Sequence, residues 1–88
     1  MRQATVTICN RLGLHARPAA EFVKVATRFR AHVVLSMNEV EVDGKSIMGV
    51  MMLAAPRGSV LTVRAEGADE EAALAALVDL VRGGFGES

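Results

Sequence analysis

The sequence predicts an α+β fold, a two-layer sandwich in which three helices cover one face of a four-stranded antiparallel sheet. Four short segments alternate between polar and apolar residues, which is typical of strands, and three others have the apolar spacing or the capping residues of helices. The predicted order is β-α-β-β-α-β-α. Because a helix does not connect every pair of strands, we expect a largely antiparallel sheet with its helices on one face. A chain of 88 residues is expected to form a single domain, residues 1–88.

The first part of the chain predicts a strand followed by a helix. Residues 3–9 alternate in polarity, as in a strand with one buried face, and residues 10–13 break the pattern as a turn. Apolar residues then recur at helical spacing from about Ala16 to Phe29. Pro18 falls in the first turn of this helix, where its missing N–H group is tolerated.

The middle of the chain predicts a strand pair, a short helix and a further strand. Residues 32–37 and 39–43 are predicted strands that meet at a turn. Ser46 is predicted to cap a short helix in residues 47–53. After a turn at Pro56, residues 59–67 alternate again and are predicted to form the fourth strand.

The last predicted element is a helix that begins after Asp69, its expected N-cap. Glu70 and Glu71 stand at the positive end of its dipole, and Gly83 ends it. Its predicted buried stripe has four members: Leu74, Leu77, Val78 and Val81.

Charge and composition limit the classes of function. Ten basic residues balance ten acidic ones, but residues 1–32 hold six basic residues against one acidic residue. This asymmetry can steer an acidic partner protein or a phosphate, although an ordinary solvated helix face is the alternative interpretation. With three aromatic residues and no net charge, the chain is not expected to bind nucleic acid.

Cysteine content and hydropathy indicate where the protein works. Cys9 is the single cysteine, so an internal disulfide is excluded, and the sequence has no Cys/His cluster for a metal. The N-terminal residues lack a continuous apolar run, so neither a signal peptide nor membrane insertion is expected. We therefore expect a cytoplasmic protein with no metal and no cofactor.

The candidate reactive group stands where the first helix begins. His15 precedes a helical turn whose free N–H groups and dipole favour an anion. Arg17 adds a planar, permanently charged group suited to a phosphate. These residues suggest a phosphohistidine site, with the alternative that His15 is only a turn residue capping the helix. His32, at the start of a strand without similar neighbours, is expected to be structural.

Two stretches, GLHARPAAEFVKVA and GKSIMGVMML, together resemble the HPr family, the small histidine phosphocarrier proteins of the bacterial phosphoenolpyruvate-dependent phosphotransferase system. The resemblance runs over essentially the whole chain. It implies an open-faced β-sandwich with strand order 1-4-2-3. It also implies that His15 is phosphorylated on Nδ1 and that Arg17 contacts the phosphoryl group.

The resemblance implies partners as well. Enzyme I, itself phosphorylated by phosphoenolpyruvate, is the family's donor, and the acceptors are IIA proteins of sugar uptake or of a nitrogen-related regulatory branch. The chain is therefore expected to be a monomeric carrier within a relay rather than a self-contained enzyme. Leu12 stands where some sugar-specific members have asparagine, so a hydrogen bond from that side chain is absent or comes from Asn10. The positions expected to dock partners are Ala16, Ala20, Lys24, Ile47, Met48 and Met51.

Ser46 matches the family's regulatory serine, which HPr kinase/phosphorylase modifies in bacteria that have this enzyme. A phosphate there adds about two negative charges beside the apolar residues of the short helix, and so would oppose an acidic enzyme I surface. Val50 and Leu53 of this helix are expected in the core instead. The alternative function is a regulatory binding module that acts through Ser46 and Ile47 without carrying phosphate.

Overall fold

A computed structural model describes residues 1–87, and Ser88 lies outside the described residues. The elements follow the predicted order: β1 Arg2–Thr7, α1 Ala16–Ala26, β2 His32–Met37, β3 Val40–Asp43, α2 Ile47–Met52, β4 Val60–Glu66, α3 Glu70–Arg82 and a C-terminal 3-10 turn, Gly84–Gly86. All strand pairs are antiparallel and the sheet order is β1-β4-β2-β3. The predicted fold class and strand order are confirmed.

Alternation along the strands separates a covered face of the sheet from an open one. In the central strands, Leu35 and Val63 lie side by side in register and are fully buried beneath the helices. Their neighbours Ser36 and Thr62 face the other way and are only partly buried. The sandwich is therefore open on one side, and its core consists mainly of aliphatic side chains together with the fully buried Phe22 of α1.

The first helix is shorter than the sequence predicts. It packs an apolar stripe on the sheet, but it ends at Ala26 instead of Phe29. The Arg28 N–H bonds to the carbonyl three residues back, which tightens the last turn. Beyond it, the N–H groups of Arg30 and Ala31 donate to the Asp69 carboxylate, each at 2.8 Å, and this contact turns the chain away from the helix axis.

The predicted N-cap residues of α2 and α3 differ in whether their side chains bond to the helix. Ser46 Oγ accepts a hydrogen bond from the Gly49 N–H at 3.1 Å, so the predicted cap of α2 is confirmed. Asp69 is the N-cap residue of α3 as predicted, but its side chain makes no hydrogen bond to that helix. In the buried stripe of α3, Leu74 is only half-buried and Ala73 is fully buried in its place.

The chain reverses sharply after α3. Gly84, Phe85 and Gly86 have φ values of 65°, 57° and 75°, which is a short left-handed turn. A phenylalanine rarely adopts this conformation, and here the buried position of its ring in the main core holds it. The turn brings Glu87 back toward the start of α1.

Across the described part of the chain, no helix is both long and apolar enough to cross a membrane.

Candidate functional site

His15 is the residue that leads into α1. Its backbone is extended, and its carbonyl accepts the first helical hydrogen bond, from the Ala19 N–H at 3.0 Å. The imidazole makes no hydrogen bond to the helix, so the ring itself does not cap it. The side chain is 37% exposed and is open to an approaching molecule.

The loop before His15 is fixed by close backbone contacts. Gly13 has a φ of 70°, and a Cβ atom there would lie 2.4 Å from the Ala55 carbonyl oxygen, so only glycine fits. The next residue, Leu14, is buried and donates its N–H to the same oxygen at 2.8 Å. These contacts hold the backbone at His15 in place.

The N-terminus of α1 offers two free donors to an anion. The N–H groups of Ala16 and Arg17 have no hydrogen-bond partner within residues 1–87, and Pro18 has no N–H to offer. At the first turn of a helix such donors carry a partial positive charge. An anion next to His15 would therefore meet both a positive helix end and open N–H groups.

A shallow depression of about 520 Å³ opens over this helix end. Two permanent cations, Arg11 and Arg17, line it together with His15. Neither arginine forms an ion pair in the described part of the chain. Both guanidinium groups are therefore free to contact a phosphoryl group, and Arg17 lies where the sequence predicts it.

Glu87 is a site residue that the sequence analysis missed. Its Oε1 lies 3.3 Å from Nε2 of His15, and its side chain is only 19% exposed. A carboxylate accepts hydrogen bonds but does not donate them, so a hydrogen bond in this contact requires the hydrogen on Nε2. In a neutral imidazole, the lone pair is then on Nδ1.

Asn10 joins Glu87 to the loop before α1. Its side chain is 1% exposed, and its amide nitrogen donates to the Gly13 carbonyl at 2.7 Å and to Glu87 Oε1 at 3.2 Å. Of the two alternatives for the hydrogen bond that Leu12 cannot make, a bond from Asn10 to the ring is not observed: Asn10 bonds to Glu87, and Glu87 contacts the ring. No signal in the sequence points to this chain of contacts, because Asn10 and Glu87 are 77 residues apart.

A family model described as the PTS HPr component phosphorylation site matches residues 2–83. The chain belongs to the HPr family. The phosphocarrier protein HPr of Neisseria meningitidis is 47% identical over 87 residues, which cover 99% of this chain and 98% of that protein. The HPr of Pseudomonas aeruginosa is 54% identical over 83 residues, covering 93% of this chain and 92% of the relative.

A solved structure agrees with the fold of this HPr-family protein. The crystal structure of HPr-C-His from Thermoanaerobacter tengcongensis superposes with a TM-score of 0.96 at 46% identity, covering all of this chain and 99% of the other. The resemblance predicted from the two sequence motifs is therefore confirmed.

In this HPr-family protein, α2 presents an apolar surface next to the histidine. We call Ile47, Met48, Met51 and Met52 the α2 surface. All four side chains are exposed, whereas Val50 and Leu53 are buried as predicted. Met52 is as exposed as Met48, at 77%, although it is not among the docking residues that the sequence predicts.

A second groove connects this surface to the N-terminal end of α1. It has a volume of about 350 Å³, and its lining includes His15, Ala16 and Met51. Leu12 lies on the rim of both depressions and is exposed. The histidine therefore stands between a basic depression and an apolar groove.

The other predicted site residues lie further from the ring. Ala20 is half-buried on α1 and Lys24 is exposed near its C-terminal end, and neither lines the two depressions. Ser46 lies at the start of α2, the end of that helix away from Met51 and His15. His32 is exposed at the start of β2, opposite Glu66 in register, and forms no side-chain hydrogen bond among the described residues.

No group of three His, Cys, Asp or Glu side chains between residues 1 and 87 is placed to hold a metal ion.

Proposed function

We propose that this protein is a phosphocarrier that accepts a phosphoryl group on His15 from phosphorylated enzyme I and passes it to a IIA protein. The observation that supports this most is the position of the His15 ring at the open N-terminus of α1, in one depression with Arg17. Phosphoryl transfer requires positioning and charge stabilisation more than an enclosed pocket. A shallow site on a small domain, residues 1–88, is sufficient for that.

The proposed step needs no other reactant. The Nδ1 lone pair of His15 attacks phosphorus, the N–P bond of the donor's phosphohistidine breaks, and the donor ring keeps that electron pair. The proton on Nε2 stays in place, so the phosphorylated His15 ring becomes a cation. The free N–H groups of Ala16 and Arg17 and the Arg17 guanidinium stabilise the charge on the phosphoryl oxygens. Transfer to the IIA protein is the same step in reverse.

We propose that partners dock on the α2 surface and on the exposed face of α1. Methionine side chains suit a surface that adapts to more than one partner, and three of the four residues of the α2 surface are methionines. The groove that joins this surface to His15 keeps the docked partner close to the ring. Ala16, Ala20 and Lys24 extend the same contact area along α1.

Ser46 is the proposed regulatory position, modified by HPr kinase/phosphorylase where that enzyme is present. Its side chain is partly buried as the cap of α2, and Ile47 and Met48 follow it directly on the α2 surface. A phosphate at a helix N-terminus is compatible with the fold. Its charge would act mainly on docking.

A monomer in the cytoplasm fits this relay, because it leaves the histidine and the α2 surface open to each partner in turn. The acceptor belongs either to sugar uptake or to a nitrogen-related regulatory branch. Size-exclusion chromatography with light scattering measures the oligomeric state.

The deciding experiment is incubation with enzyme I and labelled phosphoenolpyruvate, followed by detection of acid-labile phosphate on this protein. We expect labelling of the wild type and of the matched control His32→Ala, and none of His15→Ala. If the wild type stays unlabelled while an established HPr is labelled beside it, the carrier function is wrong. If His15→Ala still supports the relay, the regulatory binding module is the better description.

A further inference from the structure

We propose that Glu87 and Asn10 are positioning residues that hold His15 as the Nε2–H tautomer, so that Nδ1 is the nitrogen left to take the phosphoryl group. This inference depends on the proposed function for its consequence, but its physical core is a property of the unphosphorylated protein. It concerns the tautomer of one ring, which can be measured without any partner.

The first part of the evidence is the contact between Glu87 and the ring. Glu87 Oε1 lies 3.3 Å from His15 Nε2, and the carboxylate is mostly withdrawn from solvent. A carboxylate can only accept, so a ring with its hydrogen on Nδ1 would set two acceptors against each other. The contact therefore favours the tautomer whose free lone pair is on Nδ1.

The second part is the way Asn10 holds Glu87. The Asn10 amide nitrogen faces two oxygens, the Gly13 carbonyl and Glu87 Oε1. The opposite orientation of the amide would bring Asn10 Oδ1 against both acceptors, so the orientation is decided by the partners. Oδ1 itself is buried and without a partner in the described part of the chain. The amide is thus oriented so that its N–H groups make the hydrogen bonds, and one of these bonds holds the Glu87 carboxylate in place.

The third part of the evidence is the backbone conformation that positions Glu87 and Asn10. Glu87 follows the left-handed turn Gly84–Gly86, which the buried Phe85 ring anchors in the core. Asn10 begins a loop that is closed by a bond from the Gly13 N–H to the Asn10 carbonyl, at 3.2 Å. Glu87 therefore contacts His15 from an anchored segment, and Asn10 holds Glu87 from another, as positioning requires.

The arrangement also suits the phosphorylated state. With its hydrogen on Nε2, a ring phosphorylated on Nδ1 is a cation, and the same Glu87 oxygen then accepts a charge-assisted hydrogen bond. Glu87 therefore favours the product of phosphoryl acceptance in addition to selecting the nitrogen that reacts. It does not touch the reacting phosphorus, and it acts through His15.

The test is nitrogen-15 NMR of the His15 ring at a pH where the ring is neutral, in wild type and in Glu87→Gln. A glutamine amide can either accept from Nε2–H or donate to a bare Nε2, so it no longer selects a tautomer. We expect the wild type to be the Nε2–H form and Glu87→Gln to show an increased share of the Nδ1–H form. The matched control Glu66→Gln changes an exposed glutamate opposite His32 and should leave the His15 signals unchanged.

Transfer kinetics complete the test. We expect Glu87→Gln to accept phosphate from enzyme I about three- to tenfold more slowly, because the glutamine oxygen can still accept from Nε2–H and only the contribution of the negative charge is lost. Asn10→Ala should change the tautomer in the same direction, and its thermal unfolding is recorded to separate this from loss of the fold. Glu87→Gln avoids that ambiguity, because Glu87 lies in the tail and outside the core.

The outcomes separate the two proposals. If Glu87→Gln leaves the tautomer unchanged, or changes it without slowing transfer, positioning by Glu87 is wrong while the carrier function stands. If the tautomer changes but the wild type accepts no phosphate from enzyme I, the carrier function is wrong and the control of the His15 ring stands.

Discussion

Arg17 is expected to contribute directly to phosphoryl transfer because its guanidinium is exposed and free of acidic partners in the described chain. Hydrogen bonds to charged groups contribute about 1.5–3 kcal/mol. We therefore expect Arg17→Ala to slow phosphoryl acceptance by about 10- to 100-fold, since each 1.4 kcal/mol is about a factor of ten. The initial rate of label transfer from enzyme I measures this.

Two further variants test whether the slower rate is specific to the Arg17 guanidinium. Arg17→Lys keeps the charge but loses the planar fork, and its rate should lie between those of Arg17→Ala and the wild type. Arg28→Ala changes an exposed arginine just beyond the other end of α1 and serves as the matched control. An Arg17→Ala rate equal to that of Arg28→Ala would contradict the role of Arg17.

Ser46 combines a structural task with the proposed regulatory one, and two substitutions separate them. Ser46→Ala removes the oxygen that accepts the Gly49 N–H, so the free energy of unfolding should fall by about 1 kcal/mol. Ser46→Asp keeps an acceptor at this position and adds a charge, so it should remain near wild-type stability while phosphoryl acceptance from enzyme I slows.

Denaturant unfolding measures the first effect, the change in the free energy of unfolding. Label transfer from enzyme I measures the second, the change in the rate of phosphoryl acceptance. Ser36→Ala, on the open face of the sheet, is the matched control for the first. A Ser46→Asp protein that accepts phosphate at the wild-type rate would argue against control of docking by charge at this position.

The apolar surface of α2 is expected to bind partners because nothing in the described chain covers it. Met48 is 77% exposed, and burying a side chain of this size stabilises a complex by about 1.5–3 kcal/mol. We expect Met48→Glu to raise the apparent Kd for enzyme I by about tenfold or more, with an unchanged Tm, because the side chain lies outside the core. Isothermal titration and thermal unfolding measure these two quantities.

Val60→Glu is the control for this variant. Val60 is an exposed valine at the start of β4 and faces the open side of the sheet, away from the helices. The two substitutions add the same charge and remove a comparable apolar side chain. If both weaken binding equally, the effect comes from net charge and the α2 surface is not the docking site.

The contact between Asp69 and the loop after α1 gives a pH-dependent contribution to stability. Hydrogen bonds from the N–H groups of Arg30 and Ala31 lower the pKa of Asp69 below its ordinary value of 3.8. A carboxylate whose folded-state pKa is lowered stabilises the fold above the unfolded-state pKa, and this contribution is lost as the pH falls through the folded-state pKa. Asp69→Asn should therefore unfold more easily than wild type at neutral pH.

The difference between the two proteins is expected to shrink as the pH falls below about 4. Urea unfolding at a series of pH values measures it. Asp79→Asn, an exposed change on α3, controls for the loss of one negative charge. A difference between Asp69→Asn and wild type that stays constant down to low pH would contradict the assignment.

The order and type of the helices and strands could be predicted because each rests on a local pattern. Alternating apolar residues define β4, and Ser46 marks the start of α2 three residues before the N–H it caps. The loop after α1 could not be predicted in the same way, since it is held by Asp69, which lies 38 residues after Ala31 in sequence. A local pattern contains no information about such a partner.

The same difference between local patterns and contacts distant in sequence applies to the candidate site. His15 and Arg17 are neighbours on one helix end, so their spacing alone brings them together. Glu87 reaches His15 across 72 residues, through a turn in which a phenylalanine adopts a left-handed backbone. The sequence predicts that α3 ends at Gly83 but does not predict the turn that follows, because positive φ at Phe85 is imposed by packing and not by its residue type.

The distribution of paired charges determines which face of this neutral protein is positive. At the start of α3, Glu70 contacts the N-terminal ammonium group at 3.0 Å and Glu71 contacts Arg2 at 2.6 Å. Arg11, Arg17 and Lys24 form no ion pair within residues 1–87. Arg2 is thus neutralised at the start of α3, whereas the two arginines that line the depression at His15 are left free.

Because free cations lie beside His15, we expect ionic strength to affect the association with enzyme I more than the phosphoryl-transfer step itself. Free cations around the site attract an acidic partner surface, and at 0.15 M salt such attraction is screened beyond about 8 Å. At limiting concentrations of enzyme I, the rate of phosphoryl acceptance should fall as salt is added, whereas the rate at saturation should change little. The variant Arg11→Gln should show a shallower dependence of the rate on salt. Arg30→Gln, a change of a basic residue beyond the far end of α1, should keep the wild-type slope, because α1 spans about 16 Å. Equal slopes for all three proteins would mean that net charge, rather than the free cations beside His15, guides the encounter.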